Sequence, residues 1–103
     1  MFIISKEYHF SAAHHVPALP DGHPCKRMHG HNYTVSVEMR SETLNEAGFI
    51  RDIKELEELK TYIDHKFDHR LLNDVLDKDR VSTEYLAKHF YDWCKERWSE
   101  VAA

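Results

Sequence analysis

With 103 residues, 42% of them hydrophobic and 12% aromatic, the chain can build one small globular core and carries no repeat or low-complexity tract. A formal net charge of -4 and a pI near 6.1 exclude a global attraction to nucleic acid or an anionic membrane, and no apolar run reaches membrane length. Two unrelated cysteines, Cys25 and Cys94, exclude a disulfide framework. With Lys6 and Glu7 close behind a very short apolar start, where a signal peptide would stay apolar, they predict a reducing, cytoplasmic setting.

Met1 to Phe10 begins β-branched and apolar and then alternates, the pattern of a strand with one face on a core; Ser11 to His15 would finish it and deliver His14 to the sheet edge. His15 competes with His14, but neighbours in a strand face opposite ways, so only one points inward. Val16 to Pro24, with three Pro and Gly22, predicts a loop, and Cys25 falls on it. Asn32 to Arg40 predicts a second strand, with Tyr33, Val35, Val37 and Met39 on one face and Thr34, Ser36 and Glu38 on the other. Ser41 to Gly48 is a polar turn region. Asp52 followed by Glu55 predicts a capping box opening a helix, whose apolar stripe is Ile53, Leu56, Leu59 or Lys60, Ile63 and Phe67, and which fades near Asp68. Asn73 to Arg80 is a charged connection. Ser82 or Thr83 caps a second helix with Glu84 in its first turn, and Leu86, Phe90, Cys94 and Trp98, widened by Ala87 and Tyr91, form its buried stripe.

The chemistry gathers between Cys25 and His31. Side chains at i and i+2 of a strand share a face, so His29 and His31 can present two imidazoles to one ion, with Gly30 leaving room for a close approach. His14 or His15, at the end of the preceding strand, supplies a third nitrogen. Three His with an open fourth position describe a catalytic zinc site better than a structural one, which fills all four positions with Cys or His. Nine His among 103 residues produce His-x-His pairs by chance, so the pair alone is weak evidence. Its weight comes from His14 and Cys25 beside it.

Three segments agree in kind and order with a known family: Phe10-Ser-Ala-Ala-His14, Cys25-x-x-x-His29-Gly-His31, and Phe67-Asp68-His69-x-x-Leu72-Asn73-Asp74. They resemble the signature set of the 6-pyruvoyl-tetrahydropterin synthase family, over nearly the whole chain. The short gap between Cys25 and His29 resembles the bacterial branch that makes 6-carboxy-5,6,7,8-tetrahydropterin for queuosine biosynthesis. The resemblance implies an α+β tunnelling (T-) fold, an antiparallel sheet with two helices packed on one face in the order ββαα(ββ). The chain would then be a single domain, residues 1–103, lacking the last two strands. Two strands alone would leave part of the helical stripe uncovered and a sheet edge open.

The resemblance also implies roles. His14, His29 and His31 would hold Zn²⁺. Cys25 would be the base that takes a proton from the substrate side chain, its thiolate favoured by Lys26, Arg27 and the metal, although the same residue could be a passive loop thiol. Asp68 and His69 would form a proton-relay pair; a His stabilised at a helix C-terminus is the plainer reading. Ser82, Thr83 and Glu84 would contact the pterin ring, while the same three residues simply make a good helix start. A further relay Glu of the family lies on a late strand and has no match here. The implied reaction converts 7,8-dihydroneopterin triphosphate to the carboxylated tetrahydropterin with release of acetaldehyde and triphosphate. The implied assembly is a homo-hexamer, a dimer of trimers. The pyruvoyl-forming branch is the close alternative, and a non-catalytic zinc-binding assembly protein the distant one. Lys26, Arg27 and Arg70 are candidates for the triphosphate by charge alone.

Overall fold

A computed structural model describes residues 1–103. Its main element is a long hairpin: β1, Phe2–His14, pairs antiparallel with β2, His29–Ser41, in continuous register from Phe2 opposite Ser41 to His14 opposite His29. β1 ends at His14, within the stretch the sequence assigns to it, whereas β2 begins at His29, three residues before the alternation from Asn32, because polar residues on an uncovered sheet face do not interrupt pairing. Tyr8, Phe10, Ala12, Val37 and Met39 lie on the covered face, and His9, Asn32, Thr34 and Ser36 on the open one.

The first helix begins later than the sequence predicts. Asp52 does cap, but its carboxylate accepts from Lys54 N and opens a 3₁₀ turn, Ile53–Leu56; Glu55 pairs with Arg51 instead of closing a capping box. The α-helix proper, α1, spans Glu57–Lys66. Ile53 therefore stays 46% exposed, and Leu56, Leu59, Ile63 and Phe67 form the buried stripe. Past α1 the chain turns sharply into β3, Arg70–Leu71, which pairs in parallel with Ala12 and Ala13 and makes the sheet three-stranded and mixed, in the order β2-β1-β3. Two residues are too short for a periodicity, so nothing in the sequence announces β3. Within the stretch predicted as a plain connection, Leu72–Val75 forms one short helix, α2.

The second long helix, α3, spans Thr83–Arg97 and is capped by Ser82, whose hydroxyl accepts from Tyr85 N. Leu86, Phe90, Cys94 and Trp98 are all buried, as the four-residue steps predict. Ala87 and Tyr91 are not; they border an apolar cavity of about 180 Å³ between β2 and α3. Burial pushes the Cys94 thiol up to about 11, which makes it inert as a nucleophile. The helices and the covered sheet face share one core, in which Phe67 packs against Phe10, Tyr62 and Phe90. After α3, Val101 bridges to Met39, and Ala102 and Ala103 pair with Glu38 on the outer edge of β2.

One contact between the helices depends on pH. The Tyr62 hydroxyl on α1 and Nε2 of His89 on α3 lie 2.7 Å apart, and Nε2 can accept the hydroxyl hydrogen only while the imidazole is neutral. Burial lowers the His89 pKa, with Asp92 opposing. The folded state thus binds this proton less readily than the unfolded chain, so the stabilisation is complete above the unfolded value of about 6.5 and is lost as pH falls below it. Thermal melts from pH 7.5 to 5 should show a falling Tm in the native protein and a flatter profile in His89→Gln; parallel profiles would remove His89 from the cause.

Candidate metal centre

The hairpin register sets the site. Opposite one another at the end of the ladder, His14 and His29 stand on the same face as His31, and the three ring centroids lie 4.6, 4.7 and 5.3 Å apart. One potential ligand nitrogen from each ring falls within 4.8 Å of the others. Gly30 is not needed for the hairpin itself, since a Cβ there would meet only the Ala12 carbonyl at 3.8 Å, an ordinary contact.

The hydrogen bonds around the rings decide what the cluster can hold. Nδ1 of His14 lies 2.7 Å from the Val81 carbonyl, and Nδ1 of His29 lies 2.7 Å from the Arg27 carbonyl. A carbonyl only accepts, so both Nδ1 atoms carry hydrogen, and in neutral rings both Nε2 atoms are bare lone pairs. Those two Nε2 atoms face each other at 3.0 Å, with no proton left to share. A cation between them converts this repulsion into ligation, and carbonyl-anchored imidazoles are the usual outer support of a metal-bound His. Burial lowers the His14 pKa, and the Val81 bond only partly offsets it, which favours the neutral, ligating form. The residues present therefore fit a divalent, imidazole-binding metal.

Asp68 and His69 meet beside Ser11 of β1. Asp68 Oδ1 accepts from Ser11 N at 3.0 Å and Oδ2 lies 3.0 Å from His69 Nδ1. The Ser11 amide, followed by His69, holds the Asp68 carboxyl below its ordinary range, so it is ionised at neutral pH. His69 adopts φ 58°, the left-handed region, and its amide donates to Ser11 O at 2.6 Å. A non-glycine residue held there costs about 1–2 kcal/mol, a strain typical of functional positions. His69 and His31 line one open cleft of about 530 Å³, together with Gly30, Asn32 and Arg70.

Cys25 lies exposed in a 3₁₀ turn, Pro24–Lys26, whose backbone is anchored to the end of β1 because Val16 N donates to Cys25 O at 3.0 Å. Its sulfur is not among the converging ligand atoms. Lys26 is paired with Asp21 at 2.6 Å. Ser82 spends its hydroxyl on the α3 cap, while Thr83 and Glu84 are exposed beside it, two and three residues after the Val81 carbonyl that anchors His14.

The sequence pattern of the family described as 6-pyruvoyl tetrahydropterin synthase matches residues 3–103. The chain belongs to this family. A 6-carboxy-5,6,7,8-tetrahydropterin synthase of Bacillus subtilis (strain 168) is 39% identical over 97 residues, covering 88% of this chain and 64% of that protein. One of Synechocystis sp. is 35% identical over 92 residues, covering 84% and 70%. The structure of Caenorhabditis elegans 6-pyruvoyl tetrahydropterin synthase superposes with a TM-score of 0.76 at 26% identity, over 98% of this chain and 85% of that one. The chain thus spans less than two thirds of the length of the Bacillus relative. No helix is long and apolar enough to cross a membrane.

As a member of this pterin synthase family, the chain shows the expected α+β arrangement of hairpin and one-sided helices, and its three His meet as the spacing predicts. Two supporting groups escaped the sequence: the carbonyls of Arg27 and Val81, which no side-chain pattern can reveal.

Proposed function

We propose that the chain is a zinc-dependent carbon–carbon lyase that converts 7,8-dihydroneopterin triphosphate to 6-carboxy-5,6,7,8-tetrahydropterin, releasing acetaldehyde and triphosphate, in queuosine biosynthesis. The observation that carries this reading is the convergence of His14, His29 and His31, with the bare Nε2 atoms of His14 and His29 3.0 Å apart. Both relatives described above bear the carboxytetrahydropterin name, and the short Cys25 to His29 spacing resembles that branch. The C. elegans structure bears the pyruvoyl name, so product identity distinguishes the two branches.

In this reading His14, His29 and His31 hold the zinc, which supplies a Lewis acid for the substrate's side-chain oxygens. Cys25 takes a proton from the substrate side chain. Asp68 fixes the hydrogen of His69 on Nδ1 and leaves Nε2 to accept or return a proton within the cleft. Arg70, which borders that cleft, suits the triphosphate better than Lys26, whose charge Asp21 already meets. The Glu84 carboxylate can accept two hydrogen bonds from an aminopyrimidine edge with Thr83 beside it, and Ser82 holds the helix start that presents them.

The reading includes a cytoplasmic homo-hexamer of paired trimers with no nucleic-acid or membrane partner. Association between copies is supported by an elongated shape, with a radius of gyration of 16.0 Å where a compact chain of this length has about 13 Å. Phe2, Ile3 and Phe49 are 46%, 53% and 49% exposed near the far end of the hairpin, an apolar surface that copies of the chain could cover.

The test is incubation of the purified, zinc-loaded protein with 7,8-dihydroneopterin triphosphate and identification of products by mass spectrometry. A carboxylated pterin with acetaldehyde is expected. A pyruvoyl product would move the protein to the sibling branch, and stoichiometric zinc with no product would favour a zinc-binding assembly protein.

A further inference from the structure

Asn73 is one of two buried polar side chains, 8% exposed, and the other is His14. Its amide makes three hydrogen bonds: Oδ1 accepts from His15 N at 3.1 Å, and Nδ2 donates to His15 O at 2.9 Å and to Lys78 O at 2.7 Å. The first two reproduce what a neighbouring strand would offer. β3 pairs with Ala12 and Ala13 and then turns into α2, so the backbone ladder ends one residue before His14. The Asn73 side chain takes over at His15 where β3 stops. Its third bond reaches the segment 78–81, whose Val81 carbonyl receives the His14 Nδ1 hydrogen at 2.7 Å. One amide thereby clamps both the main chain that carries His14 and the segment that sets its tautomer.

We propose that Asn73 is the positioning residue of the metal centre, holding the His14 Nε2 lone pair on the point where it meets His29 and His31. The role rests on the metal reading of the triad. Asparagine is required because the position needs an acceptor and two donors within one planar group; aspartate keeps the shape and the acceptor but loses both donations and sets a carboxylate against two carbonyls.

Outer partners of metal-bound His are worth 10–100-fold in affinity. Zinc titration against a competing chelator should therefore show a Kd raised by about 10–100-fold in Asn73→Asp, with an altered visible spectrum of the Co²⁺-substituted protein. A control variant, Leu59→Ala on the buried face of α1, should lower Tm while leaving zinc affinity and the cobalt spectrum unchanged. A second measurement needs no variant. The His15 amide has Asn73 Oδ1 as its acceptor, so by linkage zinc must slow its hydrogen exchange in the native protein if the two sites are coupled. Unchanged affinity in folded Asn73→Asp, or zinc-independent exchange at His15, overturns the positioning role alone. A native protein that binds no zinc overturns the metal centre, and this role with it.

Discussion

Replacing His29 with alanine is expected to remove stoichiometric zinc binding without unfolding the protein. His29 is partly exposed at the end of β2, outside the shared apolar core, so its truncation costs little packing. What it removes is one of three converging nitrogens and the ring whose Nδ1 hydrogen is committed to Arg27 O. Losing an outer partner costs 10–100-fold, so losing a ligand should exceed about 100-fold in affinity. Tm offers a second reading of the same loss. A ligand present at about 100 times its Kd stabilises the native state by about 2.7 kcal/mol, so zinc should raise the native Tm by several degrees and leave that of His29→Ala nearly unmoved. Without metal, the variant should melt no lower than the native protein beyond the small packing loss, because the repulsion between two facing lone pairs is gone. An undiminished zinc-induced shift in His29→Ala would falsify the triad as the metal site.

Cys25→Ala should show the opposite profile: zinc bound as tightly as in the native protein, and turnover of the pterin triphosphate reduced by about 10²–10⁴-fold, the usual share of a positioned acid or base. The expectation follows from geometry. Cys25 sits on a turn tied to the end of β1 through Val16, close in sequence to the His29 strand, but its sulfur does not join the converging nitrogens. Metal content by mass spectrometry and activity must be measured on the same preparation. Loss of zinc together with activity would make Cys25 a ligand and end its assignment as base; full activity with full zinc would leave it a passive loop thiol.

How much of this molecule could be read from its residues depended on the range of the interaction. Local periodicity determined the hairpin faces and the α3 stripe, because alternation and four-residue steps report burial directly: Val37 and Met39, and Leu86, Phe90, Cys94 and Trp98, are buried where the pattern puts them. The i, i+2 geometry of a strand likewise placed His29 and His31 on one face before any fold was known. The α1 boundary was misplaced because Asp52 can cap a 3₁₀ turn as readily as an α-helix, and Glu55 had Arg51 as a competing partner. Ala87 and Tyr91 look apolar and helical, yet the sheet they would need for cover does not extend over them.

Only the tertiary structure decided which atoms complete the site. That His14 lies opposite His29 depends on the register of thirteen strand pairs, and its tautomer depends on a carbonyl 67 residues away. The same holds for Ser11 and Asp68, 57 residues apart, and for His15 and Asn73, 58 apart. Main-chain carbonyls and amides are identical at every position, so no residue type marks the ones that act. Side-chain chemistry is written in the sequence, while the backbone groups that aim it are chosen by the fold.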